Sequence, residues 1–302
     1  MNYENVIEAH NIRKKFRKFE LNIPEFTVPK GFSTALIGEN GSGKTTLLNI
    51  LSGIRLDYKG DIRYFNQYTD ADRENNPVVK ERIGYTGTTN YYLPHWNVRQ
   101  VEEVSDLLFE GFDKNRFHNW CEELAIFPDG LFEQKKKIRS LSDGNQMKLK
   151  LAGVMARDTD LLILDEPASP LDPLMREKLC EMIQTYVSEG NGDRSVLFST
   201  HNILDMENVT DYAIIVGNGG VLEAGFVEEL KEKYVLVKGD AADKALARNV
   251  LYSMSENPYG FEGICLAENL EKFVGCSVLT EIPSLFQISV AVMNQNSRIK
   301  MG

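Results

Sequence analysis

The chemistry of this chain concentrates in one run, Gly38-Glu39-Asn40-Gly41-Ser42-Gly43-Lys44-Thr45-Thr46. Glycines at Gly38, Gly41 and Gly43 let the backbone wrap so that several N–H groups converge on one anion. Lys44 has the reach and charge for the β- and γ-phosphates of a nucleotide, and the Thr45 hydroxyl suits Mg²⁺. Asn40, Ser42 and Thr46 complete the candidate cradle. Such a loop works only between defined elements. The apolar stretch Thr34-Ala35-Leu36-Ile37 before it reads as a strand, and Leu47–Leu51 after it reads as a helix. The start of that helix adds unsatisfied N–H groups and a partial positive charge. A plain glycine turn between strand and helix is the bland alternative.

Further along, Leu161-Leu162-Ile163-Leu164 runs into Asp165-Glu166-Pro167. A buried strand of a parallel sheet that ends in two carboxylates delivers them beside a phosphate loop at the same sheet edge. Asp165 is then placed for Mg²⁺, and Glu166 for orienting or deprotonating a water. Adjacent strand residues point to opposite faces, so both side chains reach the phosphate only if the chain turns there. Upstream, Ser142 reads as a helix N-cap with Gly144 in the first turn. Downstream, Ser195–Thr200 is another apolar strand, and it ends at His201.

Taken in order, these motifs resemble those of the ABC-type ATPases over roughly residues 5–230. Gly38–Thr46 resembles the Walker A loop and Leu161–Glu166 the Walker B strand with its glutamate. Leu141-Ser142-Asp143-Gly144-Asn145-Gln146 resembles the family signature, usually L-S-G-G-Q. Ser169-Pro170-Leu171-Asp172 resembles the D-loop, His201 falls at the switch histidine, and Phe16 falls at the aromatic residue that stacks on adenine. The resemblance implies ATP and Mg²⁺ as cofactors. It also implies a dimer in which Ser142 and Gly144 of one chain meet the γ-phosphate held by the other, with Asp172 at the interface. Two departures stand out. Asp143 replaces a glycine and Asn145 a glutamine. In the strand Ile83-Gly84-Tyr85, Thr88 stands where the family has a glutamine that contacts Mg²⁺, with Asn90 two residues on.

The fold expected is α/β, a P-loop NTPase with a parallel sheet core, an antiparallel β edge, a helical insert and a small α+β C-terminal extension. Residues 1–230 are expected to form the nucleotide-binding domain, with the insert at about 90–155, and residues 231–302 an accessory domain. Val98–Phe109, Arg116–Leu124 and Gly144–Ala156 are the insert's helix candidates. In the tail they are Val227–Lys233, Ala241–Met254 and the run Leu285–Met293, with a strand at Tyr234–Lys238. The tail is expected to play no part in nucleotide chemistry. Its apolar runs call for a cover, from the chain itself or a dimer partner. Tyr91-Tyr92-Leu93-Pro94-His95-Trp96 fits either a partner surface or the insert's own core.

Composition narrows the function. With 302 residues and a net charge of −10, the chain lacks the basic face that nucleic-acid binding needs. The basic run Arg13–Lys18 reads as a solvated hairpin. Four cysteines without metal-ligand spacing read as reduced thiols. No segment approaches the roughly 18 apolar residues of a membrane span, and the N-terminus lacks the pattern of a signal peptide. A transport role therefore requires a separate transmembrane permease subunit, with this chain peripheral on the cytoplasmic face of the membrane. The chain would act as a homodimer or paired with a related ATPase subunit. Similar C-terminal extensions in peptide and antibiotic exporters point to export. A soluble ABC ATPase of translation or DNA maintenance is the alternative. Translation ATPases usually carry two nucleotide domains, and DNA-maintenance ATPases a coiled coil that the spacing here has no room for.

Overall fold

The computed structural model describes residues 3–87, 91–126 and 136–299. The chain opens on an antiparallel pair, β1 (Asn5–Lys15) and β2 (Glu20–Pro29), in the register Ile7↔Val28 and Ala9↔Phe26. The wholly buried β3 (Ser33–Ile37) leads through the glycine-rich loop into α1 (Lys44–Leu51). Then β4 (Lys59–Tyr64) returns to pair with β1, and β5 (Tyr68–Thr69) completes a four-stranded sheet of order β2-β1-β4-β5. Two short helices, α2 (Asp70–Asn75) and α3 (Pro77–Glu81), precede β6 (Ile83–Thr86). The helical insert follows as α4 (Val98–Leu108), α5 (Lys114–Glu123) and α6 (Asp143–Met155). The α4 start is set by a capping box, with Asn97 accepting from Gln100 N–H and Gln100 from Asn97 N–H.

The chain then alternates through β7 (Leu161–Leu164), α7 (Pro173–Glu189), β8 (Ser195–Thr200), β9 (Tyr212–Gly217) and β10 (Gly220–Phe226). These complete a six-stranded sheet of order β10-β9-β3-β8-β7-β6, parallel except for β10 at its edge. Its central strands β3, β7 and β8 are buried on both faces, which is why they read as largely apolar runs. Leu161 and Ile163 face the core shared with α1 and the first sheet. Leu162 and Leu164 face the core shared with the helices. Because β3, β7 and β8 are parallel neighbours, the segments leaving their C-terminal ends meet at one edge.

The remaining residues form α8 (Val227–Lys233), β11 (Tyr234–Asp240), α9 (Lys244–Val250), β12 (Ser253–Glu256), β13 (Gly260–Leu266), β14 (Val278–Glu281) and α10 (Leu285–Ile299). The strands make an antiparallel sheet of order β12-β13-β11-β14 over a small core that includes Val237, Phe261 and Phe273. The helix expected at Ala241–Met254 is shorter. It stops at Val250, and Met254 lies in β12. Asn257 accepts from Tyr259 and Gly260 N–H, and this turn folds Ser253–Glu256 back onto β13. The expected start of the last helix is as read, with Ser284 and Gln287 capping each other. That helix leaves the accessory sheet's own core: Leu285, Ile288, Ala291 and Val292 are buried in the main core with Ile203, Met206 and Ile215. Among the described residues no helix is long and apolar enough to cross a membrane.

Candidate active site

At the start of α1, Gly43 has φ +108°, and no side chain caps the helix. The positive φ is what favours glycine here; a Cβ would also press on Phe19 Cζ at 2.8 Å, the tip of a side chain that would have to shift. The first-turn N–H groups stay directed at whatever occupies the loop, and no acidic side chain competes for them. Lys44 is buried beneath this loop. Its Nζ donates to Gly38 O at 2.7 Å and Glu39 O at 3.2 Å, and stands 3.4 Å from Glu166 Oε1.

Asp165 is fully buried at the end of β7. Its Oδ1 accepts from Thr45 Oγ1 at 3.2 Å and Ser199 Oγ at 2.7 Å. Ser199 Oγ in turn accepts from Glu166 N–H at 2.9 Å. Glu166 takes φ +50°, a left-handed conformation that non-glycine residues rarely adopt. This turn brings two adjacent residues to the same side. Glu166 Oε2 reaches His201 Nδ1 at 2.7 Å while Oε1 faces Lys44. Asp165 Oδ2 and Glu166 Oε1 are buried oxygens with no hydrogen-bond partner among the described residues. Buried carboxylate oxygens of this kind, beside the Thr45 hydroxyl, are a hard-oxygen donor set of the type Mg²⁺ takes.

A cavity of about 460 Å³ opens above the loop. Asn40, Gly41, Lys44, Thr45, Thr46 and Glu166 line one side, and the rings of Phe16 and Phe19 the other. The two rings lie 6.0 Å apart, and Lys14 and Arg55 stand over the Phe16 face at 5.5 and 5.4 Å. Phe19, the neighbouring alternative to Phe16 in the sequence, joins it at this cavity, and Ser199 is a member of the site not singled out from sequence. Phe19 sits three residues beyond Phe16, and Ser199 is a polar residue at the end of an apolar strand, so each carried a readable signal. Ser42 lies in the loop, with its Oγ buried.

Ser142, Gly144 and Asp172 stand apart from this cavity. Ser142 caps α6, accepting from Asn145 N–H at 3.3 Å, and its own O–H remains available to donate. A Cβ on Gly144 would lie 2.9 Å from Pro170 O, so the start of α6 rests directly on the segment preceding Asp172. Asp172 caps α7 through Met175 N–H and is exposed. Asp143, exposed in the first turn of α6, complements the helix dipole. Thr88 and Asn90 lie outside the described residues.

A second cavity, of about 690 Å³, separates the helical insert from the sheet core. The aromatic run divides here. Tyr92 is buried in the core, whereas Tyr91 and Leu93 are exposed. Tyr91 joins Ile54, Leu56 and Leu108, all more than half exposed, in lining the groove.

With this geometry in hand, the comparisons are specific. A family model described as ABC transporter matches residues 21–169. An energy-coupling factor transporter ATP-binding protein of Halalkalibacterium halodurans is 30% identical, over 70% of this chain and 75% of its own length. The chain belongs to the ABC transporter ATP-binding family. It is thus a P-loop ATPase that binds ATP. Among other relatives of this ABC ATPase, a Nod factor export ATP-binding protein of Burkholderia lata is 27% identical, over 76% of the chain and 73% of its own length. The names of relatives at this distance include both import and export. The fold matches a dimeric ATP-binding cassette in a post-hydrolysis state with ADP and phosphate, at a TM-score of 0.60 and 22% identity over 73% of this chain and 98% of that one. That solved cassette is a dimer.

Proposed function

We propose that this ATPase drives export of a peptide or antibiotic-like cargo through a separate transmembrane subunit, held peripherally on the cytoplasmic face of the membrane. The C-terminal extension and the export relative support this direction. The observation that carries the catalytic reading is Glu166. Its unfavourable backbone turn holds one carboxylate oxygen on His201 and the other toward Lys44, at the mouth of a cavity lined by the phosphate loop. Non-glycine residues take such a φ when a site requires it.

In this reading the loop N–H groups and Lys44 hold the ATP phosphates, and Phe16 with Phe19 holds the base. Thr45 and Asp165 hold Mg²⁺, which supplies charge neutralisation on the phosphates when bound. Glu166 orients or deprotonates the attacking water, and His201 fixes the γ-phosphate. Phosphoryl transfer proceeds through a loose transition state, so positioning and charge do most of the catalysis. Ser142 and Gly144 lie off the cavity, which fits a site completed by the signature of a second chain, identical or related. Binding two ATP closes such a pair and hydrolysis reopens it.

The groove between insert and core is the surface for the transmembrane subunit. Its exposed Ile54, Leu56, Tyr91 and Leu108 form an apolar floor open to solvent. The division into a nucleotide-binding domain over residues 1–230 and an accessory domain over 231–302 belongs to the same proposal, with α10 packing on the former. The test is affinity purification of the Glu166→Gln protein from membranes in mild detergent with ATP. Recovery of a multi-span membrane protein in near-equal amount is expected. Ribosomal or DNA-associated proteins in its place would overturn the transport reading.

A further inference from the structure

The last helix looks, from sequence, like part of an extension with no role at the nucleotide. Its packing connects it to two segments of the site. At its first turn, Leu285 N–H donates to Glu207 Oε1 at 2.9 Å. Glu207 follows His201 by six residues, within a tightly bonded segment. Asn202 Nδ2 donates to Asp205 Oδ2 at 3.0 Å, Arg176 Nη1 donates to Asp205 Oδ1 at 2.9 Å, and Ile203 and Met206 are buried beside Leu285. The helix start is thus tied by a carboxylate to the segment that carries the switch histidine.

About two turns on, the same helix reaches the phosphate loop. Met293 is half-buried and lines a cavity of about 200 Å³ whose lining also includes Glu39, Asn40, Gly41 and Ser42. The helix also packs on β9 and β10. The turn between those strands holds the loop, because Gly219 N–H donates to Ser42 O at 3.2 Å. The residues whose backbone must stay curled around phosphates are therefore held directly by the β9–β10 turn, on which α10 packs, and face Met293 across this small cavity. A loop rich in glycine has little rigidity of its own and takes it from what it leans on.

We propose that Met293 and Glu207 are positioning residues for ATP hydrolysis, with α10 acting as a strut between the phosphate loop and the His201 segment. Met293 sets nucleotide affinity by limiting the cavity into which Glu39–Ser42 could relax. Glu207 sets turnover by fixing the segment that presents His201 to the γ-phosphate. The accessory sheet, packed on the same helix through β12 and β13, is thereby mechanically joined to the site. This inference rests on the reading of Gly38–Thr46 as the phosphate loop.

The experiment combines a binding titration with a fluorescent ATP analogue, steady-state ATPase kinetics and thermal unfolding without nucleotide, all on the full chain. Met293→Ala is expected to weaken ATP binding and raise KM on the order of three- to tenfold with kcat nearly unchanged. Met293→Leu, which conserves volume, should remain near wild type. Glu207→Ala is expected to lower kcat by a similar factor with little change in affinity. Glu207→Gln should restore it, because the amide oxygen still accepts from Leu285 N–H. Lys44→Ala separates the two readings. If it loses nucleotide and the Met293 and Glu207 variants keep wild-type affinity and turnover well below their melting temperatures, the strut role is wrong and the loop assignment stands. If Lys44→Ala binds nucleotide normally, the loop assignment itself fails. Losses in the alanine variants that follow only the unfolded fraction, or that persist in both conservative variants, also overturn the proposal.

Discussion

Glu166 and Asp165 differ by one position, and their roles follow from what each side chain meets. Asp165 is locked by Thr45 and Ser199, its other oxygen without a hydrogen-bond partner among the described residues, while Glu166 is turned out by its positive φ to His201 and Lys44. Replacing Glu166 by glutamine keeps the side chain's size and removes its basicity. Phosphate release should fall by about 10²-fold or more, as for loss of a general base, while a binding titration finds ATP affinity retained and light scattering finds an ATP-stabilised dimer. Full turnover in this variant would remove Glu166 from its role. The cysteines give a second test at this scale. Burial pushes the Cys121 thiol up to about 12 and the Cys265 thiol up to about 11, because desolvation disfavours the thiolate. The thiolate is the reactive form, so at neutral pH both stay protonated, and iodoacetamide should label them only when urea unfolds the chain. Rapid labelling of the native protein, read by mass spectrometry, would contradict this. The carboxylate pair was legible from its place after an apolar run. The left-handed turn that makes it work was not, since Glu has no propensity that announces it.

Among the elements, those built from strong local signals were readable and those built from tertiary pairing were not. The insert helices at Val98, Lys114 and Asp143 follow their caps, and α8 follows its charge pattern, acidic at the start and basic at the end. In contrast, the first two residues of β12, Ser253 and Met254, were read as helix because only the partner β13 makes them strand, and the short β14 is pinned by β11. The run Tyr91–Trp96 offered two readings, and the fold uses both. Tyr92 fills the core next to Gly153, where its hydroxyl leaves no space for a Cβ, while Tyr91 faces the groove. Tyr92→Ala should therefore cost about 3–5 kcal/mol of stability, seen as a lowered melting temperature. Ile54→Asp, at an exposed groove position, should leave melting and the isolated ATPase rate unchanged and abolish recovery of the membrane subunit. Retained recovery would move the docking surface elsewhere. Cutting the chain at residue 230 is a poor probe of the extension. It strips Leu285, Ile288 and Val292 from the core around Ile215, so loss of folding would mask any effect on assembly.

For the whole molecule the question is whether one chain holds a complete site. The parallel sheet brings the phosphate loop, Asp165-Glu166 and His201 to one edge, as motif order in the sequence implied. Ser142 and Gly144 sit at the start of α6, which rests on Pro170, and the cavity beside Lys44 is lined without them. No periodicity reveals such a separation, because it depends on how the insert packs against the core. Asp143 sharpens the point, since it places a negative charge next to the serine that would meet a phosphate. Complementation decides it. A Lys44→Ala chain and a Ser142→Arg chain should each be nearly inactive alone. In a mixed dimer, the intact loop of the Ser142 variant faces the intact signature of the Lys44 variant, and one functional site forms. Mixing equal amounts should then recover up to roughly a quarter of wild-type phosphate release, because half the dimers are mixed and each has one of two sites intact. A site completed within one chain predicts no recovery at any mixing ratio, because every site would carry a lesion. Recovery that grows with total protein concentration would further tie the activity to assembly of the pair, and Asp143→Gly in the chain supplying the signature should strengthen it by removing the charge that opposes closure.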